Sequence, residues 1–305
     1  MSAELLVVGS VAIDSVETPF GREEEALGGS ALHFAAAASL FAPVRLVAVV
    51  GEDFPREQLG FLEAREVDLS GLAQVPGRTF RWKGRYGFDL NDAQTLETQL
   101  NVFEDFAPEL SPSQRQAPYV FLANIDPDLQ LRVLDQVASP KLVALDTMNF
   151  WIEGKRESLL RALERVDLLV LNEAEARMLA EEPNLVRAAQ VIRSWGPAGV
   201  VIKRGEYGAI YFADGHLFSA PAYPLEAVYD PTGAGDSFAG GLMGYVASTD
   251  NAEPDNIRRA IVLGSALASF NVEDFSFRRL ARLTYEEVAE RFHQFRALTH
   301  FEADL

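Results

Sequence analysis

The chain has 305 residues, 48% hydrophobic and 24% charged, with 27 Lys+Arg against 45 Asp+Glu for a formal net charge of -18. That excess of carboxylates disfavours nucleic-acid backbones and anionic lipid as partners, and a polyanionic substrate would need locally placed cations or a metal. The absence of cysteine excludes disulfides, thiolate metal sites and cysteine nucleophiles.

In chain order, the N-terminus carries Glu4 and no basic stretch, so it does not read as a signal peptide. Leu5 to Val8, followed by Gly9, has the pattern of a short buried strand. Ser30 to Phe41 reads as a helix and Arg45 to Val50 as a strand; the apolar run Ala31 to Val50 is broken by His33, Pro43 and Arg45, which argues against a membrane span. Arg78 to Tyr86 and Thr95 to Phe103 look like two antiparallel strands joined by a polar loop, either a lid or a meander on a sheet edge. Strands at Tyr119 to Ala123, Leu142 to Leu145, Leu168 to Leu171 and Val200 to Lys203 then alternate with helices near Pro127 to Val137, Glu153 to Arg165, Glu173 to Ala180 and Leu185 to Trp195. Such alternation predicts an α/β domain whose mostly parallel sheet is covered on both faces, with ligands at the carboxyl ends of the strands. Gly9, Asp146, Asn172 and Lys203 all fall at or just past such ends. The last third, Phe238 to Leu298, is predominantly helical, with Phe292, Phe295 and Leu298 expected in the core. The expectation is a cytoplasmic globular protein.

The run Asp230-Pro-Thr-Gly-Ala-Gly-Asp-Ser-Phe-Ala-Gly-Gly241 carries the most chemistry. Glycines followed at once by a helix leave first-turn N–H groups free at the positive end of the helix dipole, which makes an anion site. Asp236 at its mouth would repel a bound anion, but it suits the removal of a proton from a hydroxyl that attacks a phosphoryl group. The same residue also reads as an ordinary first-turn acid. Asn172-Glu-Ala-Glu175 has capping-box spacing. No Gly-rich loop with Lys-Ser/Thr is present, and Val200-Val-Ile-Lys203 lacks the companion segments of a protein kinase. Gly235-Asp236-Ser237 suggests certain esterases, yet none of His33, His216, His293 or His300 follows an Asp by three residues.

Together, Gly28-Gly29, Asn172…Glu175 and Asp230…Asp236 resemble, in the expected order, the motifs of the ribokinase-like (PfkB) carbohydrate and nucleoside kinases. The resemblance implies one domain over 1–305, a three-layer α/β/α sandwich with a β-strand lid inserted from about 11–26 and 78–104. It implies ATP-dependent phosphorylation of a small sugar or polyol, or alternatively of a nucleoside; a non-catalytic sugar-binding relative is the third reading. Asp236 is then the base, and the N–H groups of Gly233, Ala234 and Gly235 form the anion hole. Asp14, Gly28, Gly29 and Asn101 hold the acceptor; Lys203, Gly205, Ser265 and Asn271 hold the nucleotide. Asn172 and Glu175 organise Mg²⁺ through water, and Asp230 and Thr232 lie near a monovalent-cation site that takes K⁺ in some relatives. His33 stands where relatives often carry Asn, so the acceptor cannot be copied from them. A homodimer through the lid edge is a further expectation.

Overall fold

Leu5 and Val7 face one hydrophobic core while Leu6 and Val8 face another, and this alternation repeats across a central sheet. The computed structural model describes residues 2–300. The strands are β1 (Leu5–Val8), β2 (Ala12–Thr18), β3 (Gly21–Gly28), β4 (Val44–Val50), β5 (Asp68–Gln74), β6 (Phe80–Tyr86), β7 (Ala93–Gln99), β8 (Tyr119–Leu122), β9 (Leu142–Asp146), β10 (Leu168–Asn172), β11 (Gly199–Lys203), β12 (Ala209–Ala213) and β13 (His216–Ala220). The helices are α1 (Ser30–Ala38), α2 (Gly60–Glu63), α3 (Pro127–Leu134), α4 (Asn149–Gly154), α5 (Arg156–Leu163), α6 (Glu173–Ala180), α7 (Leu185–Arg193), α8 (Ala234–Thr249), α9 (Pro254–Asn271), α10 (Arg278–Ala281) and α11 (Tyr285–Thr299).

The large sheet has the order β13-β12-β11-β10-β9-β8-β1-β4-β5, parallel except for the β11–β12–β13 hairpins. The chain leaves β1 toward β4 and β5, then returns to its other side at β8. This reversal opens a crevice at the carboxyl ends of the strands. α1, α8 and α9 cover one face, with Phe34, Phe238, Leu242 and Leu267 packed on Val7, Leu46 and Phe121. α3, α5, α6 and α7 cover the other, where Val133, Leu163, Leu179 and Ile192 join Leu6, Val120 and Leu145. No helix among the described residues is long and apolar enough to cross a membrane.

A second sheet, β3-β2-β6-β7, forms the lid; β2 pairs parallel with β6, and β3 and β7 are its free edges. Three expectations are corrected. Residues Asn101–Phe103 form a 3₁₀ turn beyond β7 and do not extend the strand. The helix expected near Glu153 to Arg165 is two, α4 and α5, broken at Lys155 where φ is -136° and ψ 31°. Leu298 lies on the exposed side of α11, whereas Phe295 is buried and Phe292 packs partly on the core.

Candidate active site

α8 begins at Gly233, whose φ of 73° belongs to the left-handed region. A Cβ there would sit 2.2 Å from the His33 ring, so the turn accepts only glycine. His33 is buried on α1 with its ring 4.1 Å from that of Phe277, and Nδ1 lies 3.0 Å from Asn271 Oδ1. Burial pushes the imidazole down to about 4, against the Asn271 bond that would raise it, so the ring is neutral and donates from Nδ1. Asn271 Oδ1 also accepts from Ser237 Oγ at 3.0 Å, and its Nδ2 donates to the Thr232 carbonyl at 2.8 Å. The Asn271 amide thus ties α1, α9 and the start of α8 together. This corrects the nucleotide-contact expectation for Asn271: its side chain is spent on the turn. His33, too, lies beneath the turn and not in the acceptor cleft.

Ala234 N–H is taken by the Pro231 carbonyl at 3.1 Å and Ser237 N–H by Gly233 at 2.8 Å. The anion-hole expectation for Ala234 is therefore corrected; the Gly235 N–H has no backbone acceptor among the described residues and stands at the positive end of α8, whereas the Asp236 N–H turns onto its own carboxylate. Asp230 is buried with Oδ1 on Thr232 N–H at 2.9 Å and Oδ2 on Ser276 N–H at 3.2 Å. Both its oxygens shape the loop, and this geometry lends no support to a monovalent-cation role for Asp230 and Thr232.

β11 delivers Lys203 to this turn, and strand alternation sends Arg204 the other way, onto Glu173 at 3.0 Å. Lys203 Nζ lies 2.9 Å from the point a Cβ on Gly235 would occupy and 3.1 Å from Asp146 Oδ2. Burial alone would lower its pKa; the charges of Asp146, Glu175 and Asp236 outweigh burial and raise it. Asp236 is pushed up to about 7 by burial and then by Asp146, with Lys203 opposing. Asp146 is the residue whose role sequence reasoning missed. An Asp ending a buried apolar strand was the available signal, but nothing in local spacing links it to Lys203.

Asn172 and Glu175 form a complete capping box: Glu175 Oε2 accepts from Asn172 N–H at 2.7 Å, and Asn172 Oδ1 accepts from Glu175 N–H at 2.8 Å. Burial raises the Glu175 carboxyl to about 7, although Lys203 pulls it back. Among the described residues no three His, Cys, Asp or Glu side chains gather closely enough to hold a metal by themselves. That suits Mg²⁺, which keeps its waters and relies on substrate phosphates, and the acids around Lys203 can reach it through those waters.

On the acceptor side, Asp14 Oδ2 occupies the space of a Cβ on Gly28, 1.8 Å away, and Gly29 N–H bonds to the same carboxyl. Burial, then Asp230 and Asp236, raise Asp14 to about 7. Tyr86 of the lid brings its hydroxyl 3.4 Å from Thr232 Oγ1, so the lid lies over the start of α8. At the lid tip, Asn91 Oδ1 is 1.7 Å from the point a Cβ on Gly205 would take. Asn101 sits at the lid root with Nδ2 on the Thr79 carbonyl at 3.0 Å, a structural bond that does not point to an acceptor. Ser265 is buried on α9.

This sheet, lid and glycine-rich helix start define a class of phosphotransferases. The model of the pfkB family carbohydrate kinases matches residues 2–280, and the chain belongs to that family. A cytidine kinase from Thermococcus kodakarensis is 36% identical over 250 residues, 79% of this chain and 88% of that one. A nucleoside kinase from Methanothermobacter thermautotrophicus is 28% identical over 293 residues, 89% and 90% of the two chains. Among solved structures, the nucleoside kinase of Methanocaldococcus jannaschii, an archaeal member of the ribokinase family, superposes with a TM-score of 0.77 at 20% identity, covering 96% of this chain and 98% of that one. Arabidopsis thaliana ribokinase complexed with ribose and ATP also gives 0.77 at 20% identity, covering 96% and 99%. The chain is a kinase with the ribokinase-like α/β fold expected from its motifs.

Proposed function

We propose that this kinase transfers the γ-phosphoryl group of ATP to a hydroxyl of a nucleoside. The observation that carries the reading is the convergence of Asp236, the free N–H of Gly235 and Lys203 on one spot beneath the lid. Asp236 accepts the proton as the hydroxyl oxygen bonds to phosphorus and the bond to the ADP oxygen breaks. The Gly235 N–H and the positive end of α8 hold the negative charge on the phosphoryl oxygens, and Lys203, kept cationic by Asp146, faces the same charge. Gly205 and Ser265 serve the nucleotide side. Mg²⁺, when bound, supplies charge neutralisation on the phosphates, with Asn172 and Glu175 meeting its waters. Asp14 and the Gly28-Gly29 backbone grip the acceptor hydroxyls. The cytidine kinase and nucleoside kinase relatives favour a nucleoside over a free sugar or polyol.

Asp236→Asn keeps the shape and removes the base. The expected result is a fall in kcat by roughly 10²–10⁴ with ATP affinity retained. Near-native turnover in this variant would remove Asp236 from the chemistry.

A further inference from the structure

β2 and β6 pair in parallel with Asp14 opposite Trp82, so the two side chains rise from the same face of the lid. Asp14 feels the charges of Asp230 and Asp236, and Tyr86, farther along the same face of β6, touches Thr232. That face therefore looks onto the start of α8. Along it, Phe80 stacks on Phe103 with ring centroids 5.4 Å apart and joins the hydrophobic core. Trp82 does not; it belongs to neither core cluster and is half-buried.

Its indole lies flat across Gly84. A Cβ at Gly84 would fall 2.1 Å from Trp82 Cη2 and 2.4 Å from Cζ2, so glycine is what lets the ring lie down. The ring is pinned by Nε1, which donates to Thr95 Oγ1 of β7 at 3.2 Å. No other aromatic ring and no cation stacks on it among the described residues. The result is a flat apolar surface whose single donor is already used, poorly matched to the hydroxyls of a polyol and well matched to a heteroaromatic ring. Asp14 is one strand to one side of Trp82, and the indole leans to the other. A ligand touching both spans about 5–10 Å, one to two strand spacings, which is the reach of a ribose with a base attached.

We propose that Trp82, laid over Gly84 and anchored to Thr95, is the stacking platform for the acceptor's base and makes the site prefer a nucleoside to the corresponding free sugar. This rests on the phosphotransferase reading above and supplies the reason for its acceptor class.

The test compares wild type, Trp82→Ala, Trp82→Phe and Gly84→Ala with ATP, Mg²⁺ and either cytidine, adenosine or free ribose. Trp82→Ala should raise the nucleoside KM by about 5- to 150-fold, the range that loss of one base–aromatic stack gives, with kcat changed less than about threefold. Trp82→Phe should recover most of the loss. Gly84→Ala, with the indole still present but displaced, should raise the same KM. Nucleoside titration should quench tryptophan fluorescence in wild type and not in Trp82→Phe, a readout independent of turnover. Nucleoside turnover with an unchanged KM and an unchanged nucleoside-to-ribose preference in Trp82→Ala would overturn the platform while leaving the nucleoside reading intact. A wild-type enzyme that phosphorylates only ribose would overturn both.

Discussion

Asp236, Asp146 and Lys203 form a unit whose members depend on one another. Asp236 works as a base only when ionised, and its pKa of about 7 sets the pH at which that happens. The profile of kcat/KM should therefore rise through an acid limb near that value. After burial, Asp146 is the largest cause of the raised value, and it also draws on Lys203. Asp146→Asn removes the negative charge and frees Lys203 for Asp236, and both effects favour the ionised base. The limb should move to lower pH, while turnover at saturating pH falls because Lys203 is less well placed; a limb that stays in place would separate Asp146 from the base. Asp146 was legible as a residue at a strand's carboxyl end, but its pairing with Lys203 was not, since that link joins strands far apart in sequence. His33 was legible as an oddity and its job was not: packing beneath Gly233 is visible only once α1 and α8 are laid together.

At the scale of elements, the capping box that opens α6 serves two ends. Asn172→Ala should cost about 1 kcal/mol in stability by loss of the cap. Glu175→Gln keeps a side chain able to accept from Asn172 N–H but loses the charge, so the cap should persist, stability should change little at pH 5 and rise at pH 8, and the Mg²⁺ concentration for half-maximal rate should rise. An unchanged Mg²⁺ curve would reduce Glu175 to a capping residue. Elements with strong periodicity were readable in advance: β1, β10 and α6 lie where their apolar runs and caps put them. β3 was not, because its sequence GREEEALG is largely exposed and charged and carries no core pattern. β5 escaped for a similar reason, with Asp68, Ser70 and Gly71 in seven residues. The end of β7 was over-extended because Asn101 takes a positive φ of 50° that no propensity announces.

For the molecule as a whole, buried acids oppose stability in the service of the site, Asp14, Asp146, Glu175, Asp230 and Asp236 all being raised by burial. Asp14, Glu175 and Asp236 ionise at about 7 in the folded chain, against ordinary values of 3.8, 4.5 and 3.8. Between those limits the folded state holds protons that the unfolded chain has released, so stability is greatest at the acid side of the window and declines as pH rises toward 7. Tm measured without ligands should fall from pH 5 to pH 8. Asp236→Asn should raise Tm by a few degrees at pH 8 and flatten that slope; an unaltered slope would mean that Asp236 ionises at an ordinary pH. The three-layer fold was legible from alternation alone, and the reaction class from the Asp230 to Gly241 run. The acceptor was not legible, because its surface is assembled from β2, β3 and β6, strands whose pairing brings Asp14 beside Trp82 without any motif. The most direct measurement is therefore the product itself. With ATP, Mg²⁺ and an equimolar mixture of nucleosides, sugars and polyols, mass spectrometry should find a nucleoside monophosphate formed in step with ADP; a sugar phosphate alone, or no acceptor-dependent ADP release, would contradict the account.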